Sequence, residues 1–108
     1  MIYRMRTYRA SRDRLASSHR VFFEQVLPVH QKHGARLVGR WQGDDGRIVV
    51  IWEYDSRADC ERIQRAVQED PDSAATAELR RSSGLFGAES EEVLMVPTEP
   101  SAAPGAEA

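Results

Sequence analysis

At 108 residues the chain has the length of one domain, and its 41% hydrophobic and 30% charged residues are the balance of a soluble globular protein, not a disordered one. A formal net charge of −2, with 15 Lys and Arg scattered among 17 Asp and Glu, excludes the clustered cations that nucleic-acid phosphates demand. The single cysteine, Cys60, excludes an intrachain disulfide and fits a reducing, cytoplasmic compartment; no apolar run approaches the roughly 20 residues of a membrane span, and no apolar signal core precedes the first strand.

Ile2-Tyr3-Arg4-Met5-Arg6-Thr7-Tyr8 reads as the first strand. Alternate strand residues face opposite ways, so Arg4, Arg6 and Tyr8 point in one direction. Two guanidiniums on one strand face need an anion, a polar ligand or water. After a turn at 9–12, a helix runs from near Asp13 towards His33, with Leu15, Phe22, Phe23, Val26 and Val29 at a 3.6-residue period. Pro28 removes one hydrogen bond inside that pattern and is expected to kink it, and Gly34 is a helix stop.

Residues 35–42 and 47–54 read as a hairpin around Asp44-Asp45-Gly46. With Asp45 and Gly46 as the turn, Trp41 faces Val50. Leu37, Gly39, Trp41, Ile48, Val50, Trp52 and Tyr54 then share one side, and Val38, Arg40, Gln42, Val49, Ile51 and Glu53 share the other. Ser56 with Asp59 resembles a capping box for a second helix running to about Glu69, with Cys60, Ile63, Ala66 and Val67 inward. Pro71 suits the first turn of a further helical segment ending near Arg81, and residues 82–90 around Leu85-Phe86 read as a mobile loop. A last strand spans 92–96, and residues 97–108 are expected to be a disordered tail to a domain of residues 1–96. The order β-α-β-β-α-β is the α+β, ferredoxin-like arrangement: helices cover one face of an antiparallel sheet, and a second copy is the obvious cover for the other, as a homodimer.

Candidate chemistry concentrates in a few side chains. Arg6, if it lies under the helices, is a desolvated guanidinium needing a ligand anion or an internal partner such as Glu24 or Glu61. Tyr8 is a donor towards a ligand carbonyl or an aromatic core residue with its hydroxyl in water. His19, His30 and His33 fall on the helix stripe that holds Leu15, Phe22 and Val26, where imidazoles could handle protons. Trp41 and Trp52 suit stacking on a flat molecule as well as core packing, and Glu53 is expected to pair with Arg40 across an interface. No HExxH or carboxylate-plus-histidine motif supports a metal, no haem-attachment motif is present, and nucleophilic triads, phosphate-cradling loops and paired catalytic carboxylates are absent as patterns. Chemistry here is therefore expected from placement alone, with no cofactor: a dry pocket, a guanidinium holding an oxyanion, and a tyrosine or histidine moving a proton.

The opening Ile2-Tyr3-x-Met5-Arg6-Thr7-Tyr8 resembles the start of the NIPSNAP family, as do Leu27-Pro28, Lys32-His33-Gly34, Leu37-Val38-Gly39 with Trp41, and Trp52-Glu53-Tyr54-Asp55-Ser56. The resemblance runs over residues 2–96. It implies a dimeric α/β barrel, in the superfamily of antibiotic-biosynthesis monooxygenases, polyketide cyclases and haem-degrading monooxygenases. It also implies a ligand between helices and sheet, lined by Arg6, Tyr8 and Trp52. Ser73, Ala74, Ala75 and Thr76 stand where related sequences carry large aromatics, which implies a roomier pocket. The combined expectation is binding of a small hydrophobic or aromatic molecule, with cofactor-independent oxygenation, cyclisation or isomerisation. Arg6, Tyr8 and His33 are then the catalytic candidates and His19, Trp41 and Trp52 the ligand-binding ones. A non-enzymatic protein-interaction module and a haem-binding protein are the alternatives.

Overall fold

A computed structural model describes residues 1–74 and 90–98 of the chain. Strand β1 spans Ile2–Arg9, β2 Arg36–Gln42, β3 Arg47–Tyr54 and β4 Ser90–Met95. They form one four-stranded sheet in the order β2-β3-β1-β4, with each neighbouring pair antiparallel. The first helical region is α1 (Leu15–Val21), a π turn (Phe22–Val26) and α2 (Leu27–Lys32); the second is α3 (Arg57–Glu69). A further helical turn opens at Pro71. Its expected continuation to Arg81, residues 82–89 of the loop expected at 82–90, most of the expected tail, and Ala75 and Thr76 of the roomier pocket lie outside the described residues, while Ser90 belongs to β4.

The irregularity expected at Pro28 takes the form of a π turn just before it. The Leu27 amide bonds to the Phe22 carbonyl, five residues back, so the helix widens by one residue before the proline. Pro28 then sits at the start of α2, directly after this π turn. The α2 end is a Schellman motif: the Ala35 amide bonds the His30 carbonyl at 3.0 Å and the Gly34 amide bonds Gln31 at 3.0 Å. Gly34 takes φ +108°, a conformation that disfavours any side chain. Ser56 caps α3 by accepting from the Asp59 amide at 3.1 Å.

The core lies between the helices and one face of the sheet. Ile2, Tyr8, Ile48, Val50, Trp52 and Tyr54 are buried there against Phe22, Ala35, Cys60 and Ile63. Full burial of each large apolar side chain contributes about 1.5–3 kcal/mol, so these positions hold the layers together. The other sheet face carries Tyr3, Met5, Thr7, Val49, Ile51 and Glu53, half-buried, with Trp41 and Val93 exposed at 51% and 45%.

The hairpin differs from expectation in register. The loop is the four residues Gly43–Gly46, closed by the Gly43 amide to the Arg47 carbonyl at 2.7 Å, with Gly46 at φ +86° and Asp45 accepting from the Arg47 amide. Trp41 therefore opposes Val49 and Arg40 opposes Val50. A β-bulge between Leu37 and Gly39 absorbs the slip, leaving Leu37 opposite Trp52 on the expected face. A one-residue shift turns side chains over, so Arg40 and Gln42 face the helices while Trp41 faces away, its ring lying over Gly39.

Candidate functional site

Arg40 is the centre of the polar cluster beneath the first helix. The bulge aims it at the helices, where α1 supplies the consecutive residues Ser18 and His19. Its Nη2 donates to the Tyr8 hydroxyl at 2.7 Å and lies 3.5 Å from Ser18 Oγ, and its Nη1 donates to His19 Nδ1. The guanidinium stands 4.6 Å above the centre of the Phe22 ring, close enough for a cation–π contact. Its Nε is shielded from water and has no hydrogen-bond partner. A guanidinium cannot accept, so His19 must present the Nδ1 lone pair and carry its proton on Nε2, which lies 2.8 Å from Gln42 Oε1. Arg40 thereby fixes one tautomer of His19. Because Tyr8 accepts from Arg40, its own O–H is a donor in another direction.

Arg6 stands beside this cluster on β1, opposite Val50 and Glu92 on the helix-facing side. Arg4, two residues back, is buried and donates through Nε to Glu92. That side of the sheet thus carries three arginines, Arg4, Arg6 and Arg40, and among its described residues one carboxylate, Glu92. An anionic oxygen entering there meets a positive field in a low-dielectric setting.

A family model described as NIPSNAP matches residues 3–102. The chain belongs to the NIPSNAP family. Among solved structures, an uncharacterised NIPSNAP domain protein from Burkholderia xenovorans is 23% identical over 96% of this chain and 99% of its own, with a TM-score of 0.80. A NIPSNAP family protein of unknown function from Agrobacterium tumefaciens is 25% identical over 93% of this chain and 92% of its own, with a TM-score of 0.78. A candidate antibiotic biosynthesis monooxygenase from Nitrosomonas europaea is 13% identical over 92% of this chain and all of its own, at TM-score 0.67, which shows a shared fold alone. No curated protein matches.

Within this NIPSNAP fold the other expected residues part company. Trp52 is 2% exposed, stacked on His30 at 4.4 Å between ring centres and tilted against Phe22 at 5.8 Å; it is packed core at the floor of the layer. Trp41 is on the opposite sheet face, so the two tryptophans do not form facing walls. His33 is at the end of α2, where its Nε2 lies 2.8 Å from Asp70. Lys32 joins the same carboxylate at 2.5 Å, and the two hold Asp70 well below the usual carboxylate range, Lys32 contributing most. This ion cluster ties α2 to the end of α3, away from Tyr8 and Arg40. Glu53 does not pair with Arg40. It accepts from Arg36 at 2.6 Å and Tyr3 at 2.9 Å, both directly opposite it on neighbouring strands, and Arg36 holds its carboxyl low.

The residue missed from sequence is Arg40. Its signal was Gly39, since a glycine inside a strand often marks a bulge, and a bulge reverses the faces of the strand residues beyond it. Among the described residues no group of three His, Cys, Asp or Glu could hold a metal, and no helix is long and apolar enough to cross a membrane.

Proposed function

We propose that this NIPSNAP protein binds a small hydrophobic or aromatic molecule through an anionic oxygen, between the first helix and the sheet, and converts it as a cofactor-independent oxygenase, cyclase or isomerase. The observation carrying this reading is the Arg40 guanidinium, which reaches Tyr8, Ser18 and His19 and keeps a buried N–H without a partner. Buried donors call for an acceptor, and the charge on Arg40 favours an enolate or phenolate oxygen. Arg6 adds a second positive charge on the same side. Tyr8 supplies the O–H that donates to the ligand or protonates its carbon, and His19, bound to the same guanidinium, is the nearest imidazole for proton exchange. Holding the substrate as its oxyanion raises electron density on the adjacent carbons. Attack on oxygen, ring closure or reprotonation at a different carbon then depends on the substrate, with no resident cofactor.

The working unit in this reading is a cytoplasmic homodimer. Met5, Val49 and Ile51 with exposed Trp41 and Val93 make an apolar open face that a second copy would cover.

Native mass spectrometry of freshly purified protein tests both parts. The expected spectrum is a dimer carrying a small-molecule mass that disappears on denaturation and is absent from Arg40→Ala. A dimer that keeps the adduct in Arg40→Ala would refute the role of Arg40, and a clean monomer would refute the dimer.

A further inference from the structure

A second set of buried polar groups lies at the α3 end of the same sheet face. Arg4 stands opposite Trp52 and Tyr54 opposite Ile2, so Arg4 and Tyr54 rise from adjacent strands as a diagonal pair on one face. Arg4 is 6% exposed and Tyr54 0%. Glu92 occupies Nε of Arg4, but Arg4 Nη1 and the Tyr54 hydroxyl are both shielded from water and both without a hydrogen-bond partner. They lie close enough for a weak, poorly aligned hydrogen bond to each other, short of the geometry that would satisfy either group. Cys60 of α3 closes the spot from above, its Sγ taking the Gln64 amide at 3.1 Å. Burial pushes the Tyr54 hydroxyl and the Cys60 thiol up, so both keep their protons.

Arg4 Nη1 and Tyr54 can therefore only gain from an acceptor. A water could accept from both and pass a proton to Glu92, but an anionic oxygen also complements the Arg4 charge, which Glu92 meets through Nε alone. We infer that Arg4 and Tyr54 form a carboxylate-binding point under α3, separate from the Arg40 cluster. Taken with the proposed cleft, on which this part rests, it becomes a second anchor for the same ligand, whose acid group sits at Arg4 and whose reactive oxygen sits at Arg40. A free small acid offers the same chemistry.

Isothermal titration of the full chain with sodium benzoate and sodium formate separates these sources. Benzoate should bind the wild type about ten-fold more tightly than Tyr54→Phe, the scale of one hydrogen bond to a charged group. Arg40→Ala, at the other anchor, should lower that affinity by less than Tyr54→Phe does. Arg4→Lys keeps the charge but withdraws Nη1, and should match Tyr54→Phe; it guards against a packing defect in the tyrosine variant, with circular dichroism reporting the fold of each. Formate binding with the same dependence, without benzoate binding, also supports the site and assigns it to a free small acid. Benzoate binding lost in Arg40→Ala but unchanged in Tyr54→Phe overturns the inference while sustaining the cleft. Binding of either acid with equal affinity to the wild type, Tyr54→Phe and Arg4→Lys, or of neither acid to any form, overturns it too, and the native mass spectrum of Arg40→Ala then decides the cleft reading independently.

Discussion

Arg40 of β2 donates to the hydroxyl of Tyr8 on β1 at 2.7 Å, although β3 lies between those two strands. Two strand spacings amount to about 10 Å, so only a long side chain leaning across the sheet can close that gap. The reach is available because the bulge near Val38 turns Arg40 towards the helices and the Phe22 ring supports its guanidinium. Ser18 and His19 then fix its far side from α1, so β1, β2 and α1 all contribute to holding this one guanidinium at the site.

Replacing Arg40 should therefore affect binding far more than folding. Arg40→Ala removes the charge from the ligand side and is expected to weaken binding by at least ten-fold, since a charge-assisted hydrogen bond is worth about 1.5–3 kcal/mol. Stability should fall by about 1 kcal/mol, because Arg40 is itself partly exposed, although buried Tyr8 and Ser18 lose a partner. Arg40→Lys should not restore binding, as an ammonium cannot reach Tyr8 and His19 together. Ligand titration alongside urea unfolding measures both terms; a stability loss matching the binding loss would make Arg40 a structural residue.

Tyr8 should separate the ligand contact from the fold. The phenyl ring is core and its hydroxyl is site, so Tyr8→Phe keeps the packing and removes one oxygen. Thermal unfolding should shift by no more than a few degrees, while turnover of a bound substrate should fall about 10²-fold or more, the usual worth of a positioned proton donor. Turnover equal to wild type would remove Tyr8 from proton transfer.

Much of this was legible because local rules and tertiary packing agree. The 2–8 pattern, the Ser56-Asp59 cap and the stop at Gly34 each carry a short-range cause, and each recurs in the fold. The expected polar face of β1 also stands, since alternation along one strand needs no partner. Arg40 and Trp41 were misplaced because faces on β2 depend on loop length and a bulge, which are properties of the paired hairpin. The histidine stripe also dispersed. Sharing a helix side does not mean sharing a partner, and His19, His30 and His33 went to Gln42, Trp52 and Asp70 respectively.

Trp41 should govern assembly and leave the cleft alone. Its ring covers Gly39 on the open sheet face, and a Cβ at residue 39 would meet that ring at 2.5 Å. Trp41→Asp places a charge on the apolar face, and Gly39→Val displaces the indole. Each is expected to shift a dimer to monomer in light scattering while the circular dichroism spectrum is retained. A dimer equal to wild type in both variants would move the interface off this face.

Cys60 should behave as a buried, unreactive thiol. It is 1% exposed and burial pushes its pKa up, which suppresses the thiolate that reacts with disulfide reagents. Ellman's reagent is expected to titrate no thiol in the native protein and one per chain in denaturant. Rapid labelling of the native form would mean that α3 opens readily from the sheet.

Asp70 should give the fold an acid-sensitive joint between α2 and α3. Its side chain is 4% exposed, and Lys32 and His33 depress its pKa below the unfolded value. A carboxyl depressed in the folded state stabilises the protein above its unfolded pKa, about 3.9, and that contribution drains away as pH falls below it towards the folded value. Urea midpoints should thus drop between pH 6 and pH 2.5 more steeply in the wild type than in Asp70→Asn, which starts less stable at pH 6 and has no Asp70 proton to take up. Glu53 and Asp45, whose carboxyls are also held low, titrate in both proteins and cancel in the comparison. Parallel pH profiles would show that Lys32 and His33 meet Asp70 without linking its ionisation to the fold.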